Sequence, residues 1–151
     1  NHLLDPPVVR QDHLIMAPTT NSADQVTGAT ISGSKIGGTV DGCVVLFPDP
    51  MGATGGSLSK AIANFTDGEF GRPERIFTLN LIVTPEFIRC ILHDHPEAVI
   101  YALRLDRGAS PPHILDTLPG EHWDEESGLD KRGYIVPGVG GFGELMNNSW
   151  V

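Results

Sequence analysis

The residues most able to do chemistry lie in one stretch, Leu46-Phe47-Pro48-Asp49-Pro50-Met51-Gly52-Ala53-Thr54-Gly55-Gly56-Ser57-Leu58. Glycines let a backbone turn tightly and aim successive N–H groups into one concavity. Ser57 opens a segment with helical spacing, Leu58, Ile62 and Phe65 at i, i+4 and i+7. The start of such a helix adds unpaired N–H groups and the positive end of its dipole. Together these suit a phosphate dianion, with the Thr54 and Ser57 hydroxyls as further donors. Asp49, at the end of the preceding apolar run, suits ribose hydroxyls as an acceptor or Mg²⁺ as a ligand. This is not the P-loop pattern, because no Gly-Lys-Ser/Thr follows and Lys60 is displaced. The plain alternative is a Gly-rich connection without a ligand. An apolar run before it, a helix after it, and Asp, Thr and Ser between them favour the phosphate reading.

A second constellation is Gly133-Tyr134-Ile135-Val136-Pro137-Gly138-Val139-Gly140-Gly141-Phe142-Gly143-Glu144. Gly138, Gly140 and Gly143 formally satisfy G-x-G-x-x-G. The dinucleotide reading fails, because 8 residues follow Gly143, too few for the rest of a roughly 30-residue βαβ unit. Lesser candidates have plainer readings. His93 and His95, two apart on a helix, do not share a face and read as surface or helix-end histidines. His113, Glu121, His122 and Asp124 match no strong metal spacing. Cys43 and Cys90 read as buried thiols, and Asp124-Glu125-Glu126 as a solvated acidic loop.

The elements that must position these residues follow from periodicity. Residues 43–47 form a short apolar run that reads as a strand buried on both faces. A helix over 57–65, a strand over 75–83, a helix opened by Thr84-Pro85-Glu86 and a strand over 98–103 come next. Residues 133–137 read as a last short strand. Residues 107–129 are acidic and carry Pro and Gly, which reads as a loop, an insertion or a flap. Residues 1–39 read as an irregular amino-terminal part, with 17–38 as loop or short edge strands. The alternation predicts an α/β fold with a mainly parallel sheet flanked by helices. Ligands in such sheets bind beyond the carboxyl ends of the strands.

Composition sets the frame. With 151 residues, 40% hydrophobic and 19% charged, the chain fits one globular domain, 1–151. Its 19 acids against 10 bases give a net charge of −9, which disfavours nucleic acid as a partner. No apolar run approaches the roughly 20 residues of a membrane span, so a membrane is not expected as a partner either. The chain opens Asn1-His2-Leu3 without Met or a signal-peptide pattern, and we expect that residues precede it.

The residues also carry a resemblance. An apolar strand, an acid and Ala53-Thr54-Gly55-Gly56-Ser57 resemble the phosphoribosyl pyrophosphate (PRPP) loop of type I phosphoribosyltransferases. Asp49-Pro50-Met51 before them is similar to the version found in uracil phosphoribosyltransferases. Tyr134-Ile135-Val136-Pro137-Gly138, with Gly140, Phe142 and Gly143, is similar to that family's uracil-recognition segment. Residues 79–86 and 95–101 agree with it, and the likeness runs over roughly residues 40–145 with a fainter part around Arg10 to Leu14.

The resemblance implies that PRPP sits on Asp49, Pro50, Met51, Gly52, Ala53, Thr54, Gly55, Gly56 and Ser57, with Asp49 catalytic. It implies that uracil lies between Met51 and Ala53 on one side and Tyr134, Ile135, Gly140, Gly141 and Phe142 on the other. Mg²⁺ would be carried with PRPP, and the product would be uridine monophosphate (UMP). A cytoplasmic homodimer or higher homo-oligomer is implied as well. Departures mark two alternatives, a non-catalytic PRPP- or nucleotide-binding module and a transferase for another base. Gly141 and Leu145 stand where the family has Asp and Arg, and residues 1–39 lack its Arg-Ala-Gly-Leu-Gly segment.

Overall fold

The computed structural model describes residues 8–20, 26–67 and 69–139. Its axis is β5 (Arg75–Val83), flanked by β3 (Val44–Pro48) and β4 (Met51–Gly52) on one side and β6 (Val99–Leu105) on the other. All these pairings are parallel. β3 and β4 keep one register against β5: Pro48 pairs with Leu79 and Met51 with Ile82. They are one strand line interrupted at Asp49 and Pro50. The α/β fold with a mainly parallel sheet is therefore as the sequence predicts.

α1 (Gly56–Thr66) connects β4 to β5, and α2 (Pro85–Asp94) connects β5 to β6. Both connections step in the same direction across the sheet, so crossovers of one hand place both helices on one face. There Leu58, Ala61 and Ile62 of α1 and Phe87 and Ile91 of α2 close over Ile76 and Val83. Phe47 meets Phe65 edge-on, with ring centroids 5.8 Å apart.

This arrangement corrects the reading of the 43–47 run as buried on both faces. β3 alternates instead: Val45 and Phe47 face the helices, while Val44 and Leu46 are exposed. Leu79 and Leu81 on β5 and Val99, Tyr101 and Leu103 on β6 are exposed too. A continuous apolar run carries no period, and periodicity alone does not say whether one or both faces are covered.

The amino-terminal part is more regular than its composition suggests. β1 (His13–Thr20) and β2 (Val26–Lys35) pair antiparallel. The Lys60 ammonium donates to the Ala29 carbonyl at 2.6 Å, tying β2 to α1. Leu14 and Met16 pack on the core. The Thr, Ser and Gly residues of this segment dilute the alternation that would have shown a strand.

At the other end, a single isolated bridge, Leu129 to Ile135, stands in the described residues where a last strand over 133–137 was expected. Between β6 and that bridge lies a folded excursion with a short helix, α3 (Pro112–Leu115). Two smaller readings also change. Cys43 is exposed and Cys90 half-buried, while His95, at the carboxyl end of α2, is buried. Its Nε2 lies 2.8 Å from the Ser59 carbonyl oxygen and 3.2 Å from the Ser59 hydroxyl. Because Ser59 Oγ also donates to Asp94 at 2.5 Å, this cluster pins the two helices together.

Candidate functional site

The 49–57 loop leaves the carboxyl end of the β3–β4 line and runs into α1. Asp49 is half-buried, and its Oδ1 accepts the Met51 N–H at 3.1 Å. The Asn80 amide donates to the Asp49 carbonyl at 2.5 Å. Thr78 in turn donates to Asn80 Oδ1 at 2.9 Å. Asn80 and Thr78 are both buried on β5, so the acid's backbone is set from within the sheet while its Oδ2 makes no hydrogen bond to a described residue. Pro50 is exposed, Met51 and Ala53 are half-buried, and Gly52 is buried.

Two glycines are required by close approach. A Cβ at Gly52 would lie 2.8 Å from the Phe87 ring. Gly55 has φ +83°, and a Cβ there would lie 2.9 Å from the Cys90 Cβ and 3.1 Å from the Phe87 carbonyl oxygen. Gly55 is the N-cap of α1 with no side-chain cap hydrogen bond, and the first turn carries no acid. The N–H groups at this helix start therefore lack a side-chain acceptor and keep the dipole's positive end unneutralised, the requirements of an anion site. Thr54 and Ser57 are exposed beside it, and around Gly56 no atom lies within 4 Å of an added Cβ. Burial, then the nearby Asp94 carboxylate, push the Cys90 thiol up, which suits packing rather than nucleophilic attack.

The second constellation is held by backbone bonds of an alternating kind. The Tyr134 N–H donates to Asp130 Oδ1 at 2.9 Å, and the Tyr134 carbonyl accepts from Asp130 N–H at 2.9 Å. The N–H groups of Tyr134 and Arg132 hold the Asp130 carboxyl below the usual range. The Val136 N–H donates to the Gly128 carbonyl and its carbonyl accepts from Gly108 N–H, both at 2.8 Å. The Gly138 N–H donates to Asp106 Oδ2 at 2.8 Å. Asp106 is buried at the end of β6 and is also paired with Arg104. The peptide groups of Tyr134 and Val136 are thus occupied. Ile135, lying between them, makes no hydrogen bond among the described residues through its N–H or C=O. Gly140, Gly141 and Phe142, also expected at this segment, lie outside the described residues.

Thr84 links the two constellations. It is fully buried as the N-cap of α2, where its hydroxyl accepts the Phe87 N–H at 3.0 Å and donates to the Ala53 carbonyl at 2.5 Å. Its side chain also faces Gly128, where an added Cβ would lie 2.8 Å from Thr84 Cβ. The 49–57 loop and the anchor of the 134–138 segment therefore meet at one threonine, at the carboxyl ends of the strands. Glu86, in the first turn of α2, accepts from Ser127 Oγ at 2.6 Å and from Gly128 N–H at 3.0 Å. Burial alone would raise its pKa, but these donors outweigh it and hold the carboxyl below 4.5.

Sequence reasoning recognised Thr84 as a cap, yet missed its bond to Ala53 along with Asn80, Asp106 and Glu126. Asp106 had a usable signal, an acid closing a parallel strand. Glu126 had none, and its reading as solvated is corrected: it is 1% exposed, because Arg107 meets it at 3.1 Å. A cavity of about 770 Å³ lined by Asp41, Arg72, Glu74 and Arg75 opens at the opposite, amino-terminal end of β5. No strand carboxyl end or helix start faces it. Among the described residues, no group of three or more His, Cys, Asp or Glu side chains is placed to hold a metal ion, and no helix is long and apolar enough to cross a membrane.

Known proteins agree with this geometry. The family profile for uracil phosphoribosyltransferase matches residues 15–117, which takes in the 49–57 loop and ends before the 134–138 segment. The chain is 36% identical over 98 residues to the uracil phosphoribosyltransferase of Caldanaerobacter subterraneus subsp. tengcongensis, covering 65% of this chain and 36% of that protein. It is 38% identical over 107 residues to that of Roseiflexus castenholzii, covering 71% of this chain and 39% of that protein. The chain thus spans well under half the length of these relatives. A solved structure of a protein from Aquifex aeolicus shares the fold, with a TM-score of 0.61 at 24% identity, over 87% of this chain and 50% of that one.

Proposed function

The chain belongs to the uracil phosphoribosyltransferase family, and from that premise we propose that it carries the donor- and base-binding parts of an enzyme that makes UMP and pyrophosphate from uracil and PRPP. The observation that carries this reading is the pairing across Thr84: a glycine-capped helix start for a phosphate on one side, and a backbone segment whose Ile135 N–H and C=O make no hydrogen bond among the described residues on the other. A uracil edge presents alternating acceptors and a donor, which such peptide groups can match. The 5′-phosphate takes residues 53–57, and the free Asp49 oxygen accepts from a ribose hydroxyl. Mg²⁺ would be carried in with PRPP and would offset the charge of its pyrophosphate.

In this reading the protein does little covalent chemistry. Uracil N1 attacks C1′ as pyrophosphate leaves: the N1–C1′ bond forms, the C1′–O bond breaks with its electron pair departing on pyrophosphate, and the N1 proton passes to the leaving pyrophosphate or to water. Orientation and charge stabilisation supply the rate. A cytoplasmic salvage role in a homo-oligomer fits this reading.

The test is UMP formation from labelled uracil, PRPP and Mg²⁺ by the longest natural form of the protein. Asp49→Asn should lower turnover by about 10²–10³-fold, the scale of losing one aligned charge-stabilising group. A folded parent that binds PRPP yet yields no UMP overturns the reading. A panel of other bases then separates a different transferase from a PRPP-binding module; Gly141 and Leu145, at the positions of the family's Asp and Arg, bear on the rate and the base preference.

A further inference from the structure

We propose that the excursion over residues 107–126 is a brace that presets the 134–138 segment, with Arg107 and Glu126 as its positioning residues. The proposal deepens the reading above and rests on it for the identity of the ligand, though not for the mechanics.

Four layers of contact carry it. The neck is stapled: Ala109 N–H donates to the Ser127 carbonyl at 3.1 Å, and Ser127 N–H donates to Ser110 Oγ at 2.9 Å. The interior has a charged hub. The Arg107 guanidinium, whose side chain is 11% exposed, meets Glu126 Oε1 at 3.1 Å. It also donates to the Ile114 carbonyl at 3.0 Å and to the Thr117 carbonyl. Glu126 Oε1 takes the Gly120 N–H at 2.7 Å. One ion pair thereby ties down α3, the turn after it and the returning segment at Glu126. The excursion is also seated on α2, where Arg89 donates to the carbonyls of Trp123 at 2.7 Å and Glu126 at 3.0 Å. The Arg89 guanidinium lies 5.4 Å from the Trp123 ring centroid, within cation–π range.

The last layer reaches the site. Gly108, at the start of the excursion, and Gly128, just past its end, between them take both hydrogen-bonding groups of Val136. A Cβ at Gly108 would lie 2.7 Å from the Val136 carbonyl oxygen, so the grip is tight as well as bonded. If the neck opens, the Val136 peptide loses both partners together, and Ile135 beside it loses its fixed direction.

Buried charge gives the hub its leverage. A guanidinium and a carboxylate taken out of water are each costly unless paired. Glu126 Oε2 has no hydrogen-bond partner among the described residues, so the pair depends on one well-made contact. Removing either partner leaves the other buried and uncompensated, which favours opening of the whole excursion over a local adjustment.

Amide hydrogen exchange on the intact protein tests this without requiring turnover. Arg107→Met should speed exchange at Val136 and Gly138 by about tenfold, within the range usual for coupling between linked sites. Ser59, whose N–H bonds to the Gly55 carbonyl in α1, should keep its protection. In steady state the KM for uracil should rise by a similar factor while the KM for PRPP holds. Arg107→Lys keeps the charge but loses the fork and should give a smaller change of the same pattern, which decides the matter if Arg107→Met does not fold. Faster exchange at Gly120 with Val136 and Gly138 unchanged overturns the brace. A parent that makes no UMP overturns the functional reading instead and leaves the exchange result standing.

Discussion

The 49–57 loop and the 106–138 region hold backbone in place by opposite means. In the loop, position comes from the absence of side chains: Gly52 lies against Phe87, and Gly55 against Cys90 and a carbonyl. In the 106–138 region it comes from charge, with Arg107 on Glu126, and Asp106 and Glu86 on peptide N–H groups. Packing by omission fails when an atom is added, and a charged frame fails when one is removed. The first leaves the N–H groups at the start of α1 without a side-chain acceptor. The second takes up peptide groups selectively and leaves a chosen few open.

That contrast can be broken most forcefully at Glu126. Glu126→Ala leaves Arg107 buried without its carboxylate, and breaking a buried pair in this way costs about 3–5 kcal/mol. The urea unfolding midpoint should fall accordingly, while the fraction that remains folded binds PRPP with parental affinity by calorimetry. A parallel loss of PRPP affinity would mean that the two regions are one unit.

Gly52→Ala is the converse experiment. Its Cβ must displace the Phe87 ring, an overpacking that costs about 1–3 kcal/mol. PRPP affinity should drop, with amide protection at Gly120 and Val136 retained.

Thr84→Val sharpens the boundary between the regions. It removes the α2 cap and the bond to Ala53 while keeping side-chain bulk against Gly128. A loss of about 0.5–2 kcal/mol is expected, and both PRPP binding and exchange at Phe87 should respond. The smallest effect is one of pH. Glu86 has its folded pKa below 4.5, so its contribution is complete above that value and is lost as the pH falls through the lowered pKa. Glu86→Gln should flatten the fall of the unfolding midpoint over that acid range and change little at neutral pH.

The same contrast explains what could be read in the sequence. The loop, both long helices and the strand over 75–83 are local patterns, so their residues announce themselves within a dozen positions. Thr84 and Pro85 mark the start of α2 by residue type alone. The charged frame is not local. Arg107 meets Glu126 across 19 positions and Glu86 meets Ser127 across 41, and Glu126 sits in a run of acids that composition assigns to solvent. The β1–β2 pair escaped for a different reason, since Thr, Ser and Gly carry no clear hydrophobic period. The uncovered face of β3 was hidden because an unbroken apolar run is compatible with one covered face or two.

That uncovered face has a thermodynamic consequence. Leu103 is 83% exposed and Tyr101 59%, and with Leu46, Leu79 and Leu81 they form a band of hydrocarbon that the described residues of this chain leave exposed. Unfolding can expose that area only once, so the heat capacity increment should fall below the usual value of about 12–15 cal/mol/K per residue. A smaller increment means a flatter stability curve, in which a given loss of stability moves the melting temperature further while the protein changes little on cooling. Scanning calorimetry at several pH values, with enthalpy plotted against melting temperature, reads that increment directly as the slope.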